Sequence, residues 1–288
     1  MRIFFITVAS LVVLGVLVVM ARIWGLGQNY PLYEHAFFAG PTPAIIVKAN
    51  TLEDVENALK LRPDAIIWVD VRYSREKVPF ALSPSRDKEF LEMKRQEQEK
   101  NPTTPILIGG KLPEYPWEQI NEFYKTTPAI KEYYEQFPQT RFILNVVDNV
   151  SEAHTALVEA IKDLKPNERT LIQSEALIIM TSIKDIKPEW VYGTSTPDLM
   201  RLMTFDAMYV LPSTQFKGDV FIAPFKILNR PAFNDDIILE MRRRNKRIFL
   251  GPIQSDSQLA EASRYKADGY ITENLPELLR LLGQGPAQ

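Results

Sequence analysis

Whatever chemistry this chain performs must be done with carboxylates, amines, guanidinium groups and amides. Among its 288 residues there is no cysteine and there are two histidines. Disulfides, thiolate metal sites and thiol nucleophiles are therefore excluded. Polar residues stand at intervals of two inside apolar runs: Trp68, Asp70 and Arg72 share one side of an extended segment, as do Lys48 with Asn50 and Asn145 with Val147. A hard cation such as Mg²⁺ or Ca²⁺ asks for several oxygen ligands, usually with more than one carboxylate among them. Asp70 is the one carboxylate in these three groups. His154 lies in a helical stretch and reads as a surface histidine. Gly109-Gly110-Lys111 lacks the flanking glycine and the Ser/Thr of a phosphate loop.

The stretch 44–84 must position the first of these groups. Its pieces AIIVKAN and DAIIWVDVRYS are β-rich and apolar, and between them Leu52, Val55, Ala58 and Leu59 recur at helical spacing. That makes one βαβ unit, closed by a hairpin over 77–84. Charge dominates 85–105, which reads as a mostly solvated helix, with a lid or partner-docking helix as the competing reading. Residues 117–137 are helical and aromatic, and further strands are expected at 141–147, 170–174, 190–195, 220–227 and 246–253, with helices over 151–164 and 233–245. The RRRNKR run, 242–247, ends the second of these helices, where cations suit the dipole. It reads as a solvated helix end, with anionic lipid headgroups as the rival partner.

The βαβ unit resembles the opening of the glycerophosphodiester phosphodiesterase family, (β/α)8 barrels that hydrolyse phosphodiesters with a divalent metal and two histidines. Asn50-Thr51 match the family's Glu-Asn-Thr, with Ala49 at the Glu. Asp70-Val71 match its Glu-x-Asp-Val, with Trp68 at the Glu, and Leu82 and Ser83 stand where the hairpin's His-Asp falls. The first strand's His-Arg-Gly is also missing. Asn145-Val146-Val147 replace the metal-binding Glu-x-Lys of the third strand, whereas 267–276, ADGYITENLP, keep the closing Asp-Gly-Ile-x-Thr-Asp-x-Pro closely. The resemblance implies an α/β fold, a (β/α)8 TIM barrel, with no catalytic residue and no metal ligand set retained. It also implies a mixed, partly cationic mouth in which Lys48, Asn50, Asp70, Arg72, Asn145 and Lys226 could hold an anionic or phosphate-bearing ligand, near Thr194 and Thr272. Asp70 could instead pair with Lys48 or Arg72. Losing metal and both histidines together removes the Lewis acid and the general acid and base.

Residues 3–21 are uncharged and almost wholly apolar, and as a helix of about 19 residues they would span roughly 28 Å, enough to cross a bilayer. The expected organisation is an anchor over 1–24, with a signal peptide cleaved near Gly25-Leu26-Gly27 as the alternative, a linker over 25–42, a barrel over 43–283 and a tail over 284–288. Trp24 and Tyr30 would mark the far interface, and the barrel would lie on the extracytoplasmic side of a single-pass protein. A net charge of −2 gives no field to attract nucleic acid. The functional expectation is a membrane-anchored, catalytically degenerate phosphodiesterase-like barrel that binds a ligand or scaffolds envelope proteins, without a cofactor. Two rivals stand beside it. One is an active phosphoric diester hydrolase that uses Mg²⁺ or Ca²⁺ with Asp70, Glu175 and Glu273, and the other is a domain that anchors a partner through 85–105.

Overall fold

The computed structural model describes residues 1–100, 111–125 and 127–284. Gly109, Gly110, the end of the charged segment at 101–105 and the tail beyond Gln284 lie outside the described residues. The strands are β1 (Ala44–Lys48), β2 (Ile66–Tyr73), β3 (Pro79–Ala81), β4 (Arg141–Val146), β5 (Thr170–Gln173), β6 (Val191–Tyr192), β7 (Val220–Ala223), β8 (Lys226–Ile227), β9 (Arg230–Pro231), β10 (Arg247–Leu250) and β11 (Gly269–Thr272). Eight of these form a parallel sheet in the order β6-β5-β4-β2-β1-β11-β10-β7, the staves of a nearly closed barrel. Between β6 and β7 the seam is bridged by the Asp219 amide, which donates to the Tyr192 carbonyl at 2.7 Å. Thr194 adds to it, its hydroxyl donating to the Val220 carbonyl and accepting from the Ile222 amide.

Alternation along the strands sorts the core into two. Ile46, Ile66, Ile143, Leu171, Val191, Val220, Ile222, Phe249 and Ile271 fill the barrel with Phe37 and Trp68. Their neighbours of opposite parity, such as Val47, Val69 and Leu144, pack outward among the helices. The helices that follow β1, β6, β7, β10 and β11 begin at capping side chains, Thr51, Ser195, Asn234, Ser255 and Asn274, each accepting a backbone N–H three residues on.

Several expected segments are corrected. The strand expected over 220–227 stops at Ala223, before Pro224, which has no N–H to give the ladder, and Lys226 belongs instead to the exposed hairpin of β8 with β9. The strand expected over 246–253 stops at Leu250, ahead of Gly251 at φ +154°. In the segment expected as linker, Phe37 is fully buried in the barrel floor, and Arg141 holds that turn by donating to the carbonyls of Phe37, Ala39 and Asp64. The charged helix, Asp87–Lys100, is not solvated all round, since Phe90 packs with Phe80, Leu82, Leu112, Tyr115, Ile120 and Tyr124 in a satellite core.

The N-terminal helix runs Arg2–Leu26, and its Phe4–Leu26 stretch, with mean hydropathy 2.8, is long and apolar enough to cross a membrane. Its C-terminal end is seated on the barrel floor. A Cβ on Gly25 would fall 2.3 Å from the Pro212 backbone, so only glycine permits this approach. Arg22 donates to the Tyr209 carbonyl, and Arg243 donates to the carbonyls of Gly25, Leu26 and Gln28. The basic run is therefore not a solvated helix end. Arg242 pairs with Asp268, while Arg244 is buried on Glu240 and on the carbonyls of Leu211, Pro212 and Thr214.

Candidate site at the barrel mouth

The parallel register sets Asp70 beside Asn145, and both strands turn these positions inward, one layer above Trp68 and Ile143. Asp70 is buried. Its Oδ1 accepts from the Trp68 indole N–H at 3.1 Å and from the Asn145 amide at 2.7 Å, while Oδ2 accepts from the Asn50 amide at 3.1 Å. Asn50 in turn accepts from the Asp70 backbone N–H at 2.7 Å. Three neutral donors thus surround one carboxylate. Neither Lys48 nor Arg72 pairs with it, contrary to the expectation from sequence.

Lys48 donates to Glu273 at 3.0 Å and lies 5.7 Å from the centre of the Trp68 ring. Arg72, almost wholly buried, pairs with Asp148 at 3.0 Å and with Asp87, the first residue of the charged helix. Asp148 also accepts the Tyr73 backbone N–H. The Asp87 carboxyl is pushed up to about 6 by burial, which the Arg72 charge offsets in part and the Asp148 charge reinforces. Its Oδ1 has no hydrogen-bond partner. Burial, with the Asp148 charge behind it, also pushes the Tyr73 phenol far above its usual value.

On the far side of the mouth Gln173 donates to the Thr194 carbonyl and accepts its N–H, and a Cβ on Gly193 would fall 2.0 Å from the Gln173 carbonyl oxygen. Thr272 is fully buried and its hydroxyl donates to the Asn274 carbonyl. A cleft of about 500 Å³ lies outside this ring, between Thr51 at the start of one helix and Trp117 and Asn121 of another.

Of the six residues expected at the mouth, Asn50, Asp70 and Asn145 meet in one hydrogen-bonded cluster. Lys48 stands beside it, neutralised by Glu273, Arg72 faces Asp87 and Asp148, and Lys226 is exposed on the hairpin. The mouth is thus not a field of free cations. Glu175 is exposed, and His154 is half-buried in the helix Ala153–Ile161. Asp148 and Asp87 escape the reading from sequence. The first had a signal: Val71 lies opposite Val146, so two residues further along, the chain delivers Asp148 to a buried arginine that needs a carboxylate.

The donors do not fit a divalent cation. Among the described residues no group of three His, Cys, Asp or Glu side chains could hold a metal. The indole and amide groups that surround Asp70 present N–H, not lone pairs, to the space a cation would need.

No family model matches this sequence, and no curated protein matches it. Solved structures do resemble it. An Oleispira antarctica phosphodiesterase, in complex with the product sn-glycerol-3-phosphate, aligns over 87% of this chain and 100% of its own at TM-score 0.61 and 14% identity. A glycerophosphodiester phosphodiesterase from Parabacteroides distasonis aligns over 85% and 99% at TM-score 0.57 and 13% identity. One from Thermotoga maritima aligns over 86% and 99% at TM-score 0.54 and 15% identity. At such identities the likeness establishes a shared barrel fold.

Proposed function

We propose that this chain is a membrane-anchored, catalytically degenerate barrel of the glycerophosphodiester phosphodiesterase type, which binds a ligand or scaffolds proteins at the cell envelope. One observation carries the reading. Trp68 and Asn145 stand where the resemblance puts carboxylates, and each donates a hydrogen bond to Asp70. Residues that would have shared a cation now satisfy the carboxylate that remains. Turnover by metal-assisted attack loses its Lewis acid in such a site, and the chain has no histidine at the mouth to move protons.

The seat of the N-terminal helix on the barrel floor supports a retained anchor over a cleaved signal, because cleavage near Gly25 would remove contacts that Arg22, Gly25 and Arg243 make. It also supports a mouth turned away from the membrane, since the helix meets the floor, beneath the N-terminal ends of β7 and β10. In the envelope orientation the ligands of the mouth come from the aqueous side, and the helix Asp87–Lys100 beside it is a surface for a protein partner. The test is turnover of glycerophosphodiesters by the full chain. No metal-dependent hydrolysis is expected, and its appearance would favour the hydrolase.

A further inference from the structure

A second cleft, of about 380 Å³, lies beneath the barrel where the membrane helix ends. Its lining includes Trp24 and Tyr30 from the end of the helix and the turn after it, Thr214, Phe216 and Lys217 from the loop ahead of β7, and Lys246 just ahead of β10. These residues precede their strands, so the cleft is on the face opposite the mouth.

Its charge is unbalanced. Lys246 is half-buried, and its ammonium lies 5.9 Å from the Phe216 ring centre. Among the described residues no carboxylate stands within ion-pair distance of Lys246 or Lys217. The nearby acids are committed elsewhere, Asp219 to Lys184, and Glu240 to Arg243 and Arg244. Burial pulls the Lys246 pKa below the ordinary lysine value, an effect the Asp219 charge opposes and the Lys184 and Arg244 charges deepen. A half-buried cation without a counter-ion is costly unless an anion joins it. Thr214 gives an independent sign: it is 3% exposed, and its hydroxyl oxygen is buried with no hydrogen-bond partner.

Position decides which anion. The span Phe4–Leu26 ends beside this cleft, and Trp24, largely exposed, is the aromatic residue suited to the headgroup level. We propose that the cleft binds the phosphate of an anionic glycerophospholipid from the leaflet that the helix enters, with Lys217 and Lys246 as its counter-charges and Trp24 and Phe216 against the glycerol and upper acyl chains. This rests on the membrane reading above and is separate from any ligand of the mouth.

The full chain, reconstituted in nanodiscs of phosphatidylcholine containing a minor share of phosphatidylglycerol, tests it by mass spectrometry of the lipids retained on extraction. Phosphatidylglycerol is expected to be enriched. Replacing both lysines, Lys217→Gln with Lys246→Gln, is expected to weaken that preference about 30-fold, from about fivefold for each interfacial lysine. Thr214→Val, made alone so that the charges stay intact, is expected to weaken it as well. Each variant is first required to unfold at a temperature close to that of the parent. Equal retention of both lipids by the parent, or an undiminished preference in the double variant, would overturn the proposal. So would full displacement by inorganic phosphate, which would make the cleft a site for a soluble anion. Intact mass and alkaline extraction separate the two readings: a full-length chain that stays in the membrane without lipid preference refutes the cleft alone, whereas release of a shortened, soluble chain refutes the anchor and the cleft with it.

Discussion

Replacing Asp70 with alanine is expected to destabilise the barrel, and the size of the effect follows from what the carboxylate holds. Three N–H donors, from Trp68, Asn50 and Asn145, end on its two oxygens at 3.1, 3.1 and 2.7 Å. Hydrogen bonds to a charged group contribute about 1.5–3 kcal/mol each, and a buried donor left unpaired costs about 1–3 kcal/mol. The three share one acceptor and are not additive, and the half-exposed amides recover some water, so a net loss of about 3–5 kcal/mol is expected. In a domain of this size that lowers the melting temperature by about 6–20 °C. Asp70→Asn keeps one acceptor oxygen and is expected to lose about half as much. Thermal unfolding of the full chain in detergent, followed by near-ultraviolet circular dichroism that reports Trp68 among other aromatics, is the assay. A carboxylate kept for catalysis behaves in the opposite way, since such groups are held at a cost to stability and their removal is neutral or stabilising. An Asp70→Ala protein as stable as the parent, or more so, would refute the structural role given to this residue.

Two further outcomes follow from the contacts around the mouth and the floor. Asp87 has its folded-state pKa raised from 3.8 to about 6, so between those values the folded protein keeps a proton that the unfolded chain releases. Stability contributed by this group is therefore full below about pH 4, falls as the pH rises to about 6 and is flat above it, with a total change of up to about 3 kcal/mol. Asp87→Asn has no proton to lose. Its melting temperature relative to the parent should rise across that window, and a constant difference would contradict the assignment. Gly25→Val places a side chain where the Pro212 backbone already stands. The helix end must lift from the floor at a cost of about 1–3 kcal/mol, and limited proteolysis should cut the 27–35 segment faster than in the parent. Unchanged protection would mean that the helix is not seated there.

The barrel was legible in the sequence because its signals are local and repeated. Runs such as AIIVK and IIWVDVRY alternate between an inner and an outer face, and Leu52, Val55, Ala58 and Leu59 recur at helical spacing between them. The cluster of Asn50, Asp70 and Asn145 was also legible, since parity and a parallel register suffice to bring them together. What escaped depends on partners distant in sequence. Strand parity points Asp148 toward Arg72, but nothing near Arg72 announces that Asp87 converges on it as well, leaving Asp70 to neutral donors. The basic run looked solvated because charge in a sequence is silent on burial. Arg244 is buried only because the segment 211–214 offers it carbonyls, and Arg243 is used only because the N-terminal helix ends beside it. Phe37 read as linker because proline and glycine flank it, yet its ring closes the barrel floor.

Degeneracy of the mouth is the core of the proposed function, and hydrolysis tests it most directly. The full chain is assayed on a panel of glycerophosphodiesters with Mg²⁺, with Ca²⁺ and with EDTA, the parent beside Asp70→Ala. The arrangement of Trp68, Asn50 and Asn145 around Asp70 predicts no turnover above the uncatalysed rate in any condition. Turnover that requires a divalent cation and vanishes in the Asp70→Ala protein would contradict it, because the carboxylate would then be holding metal.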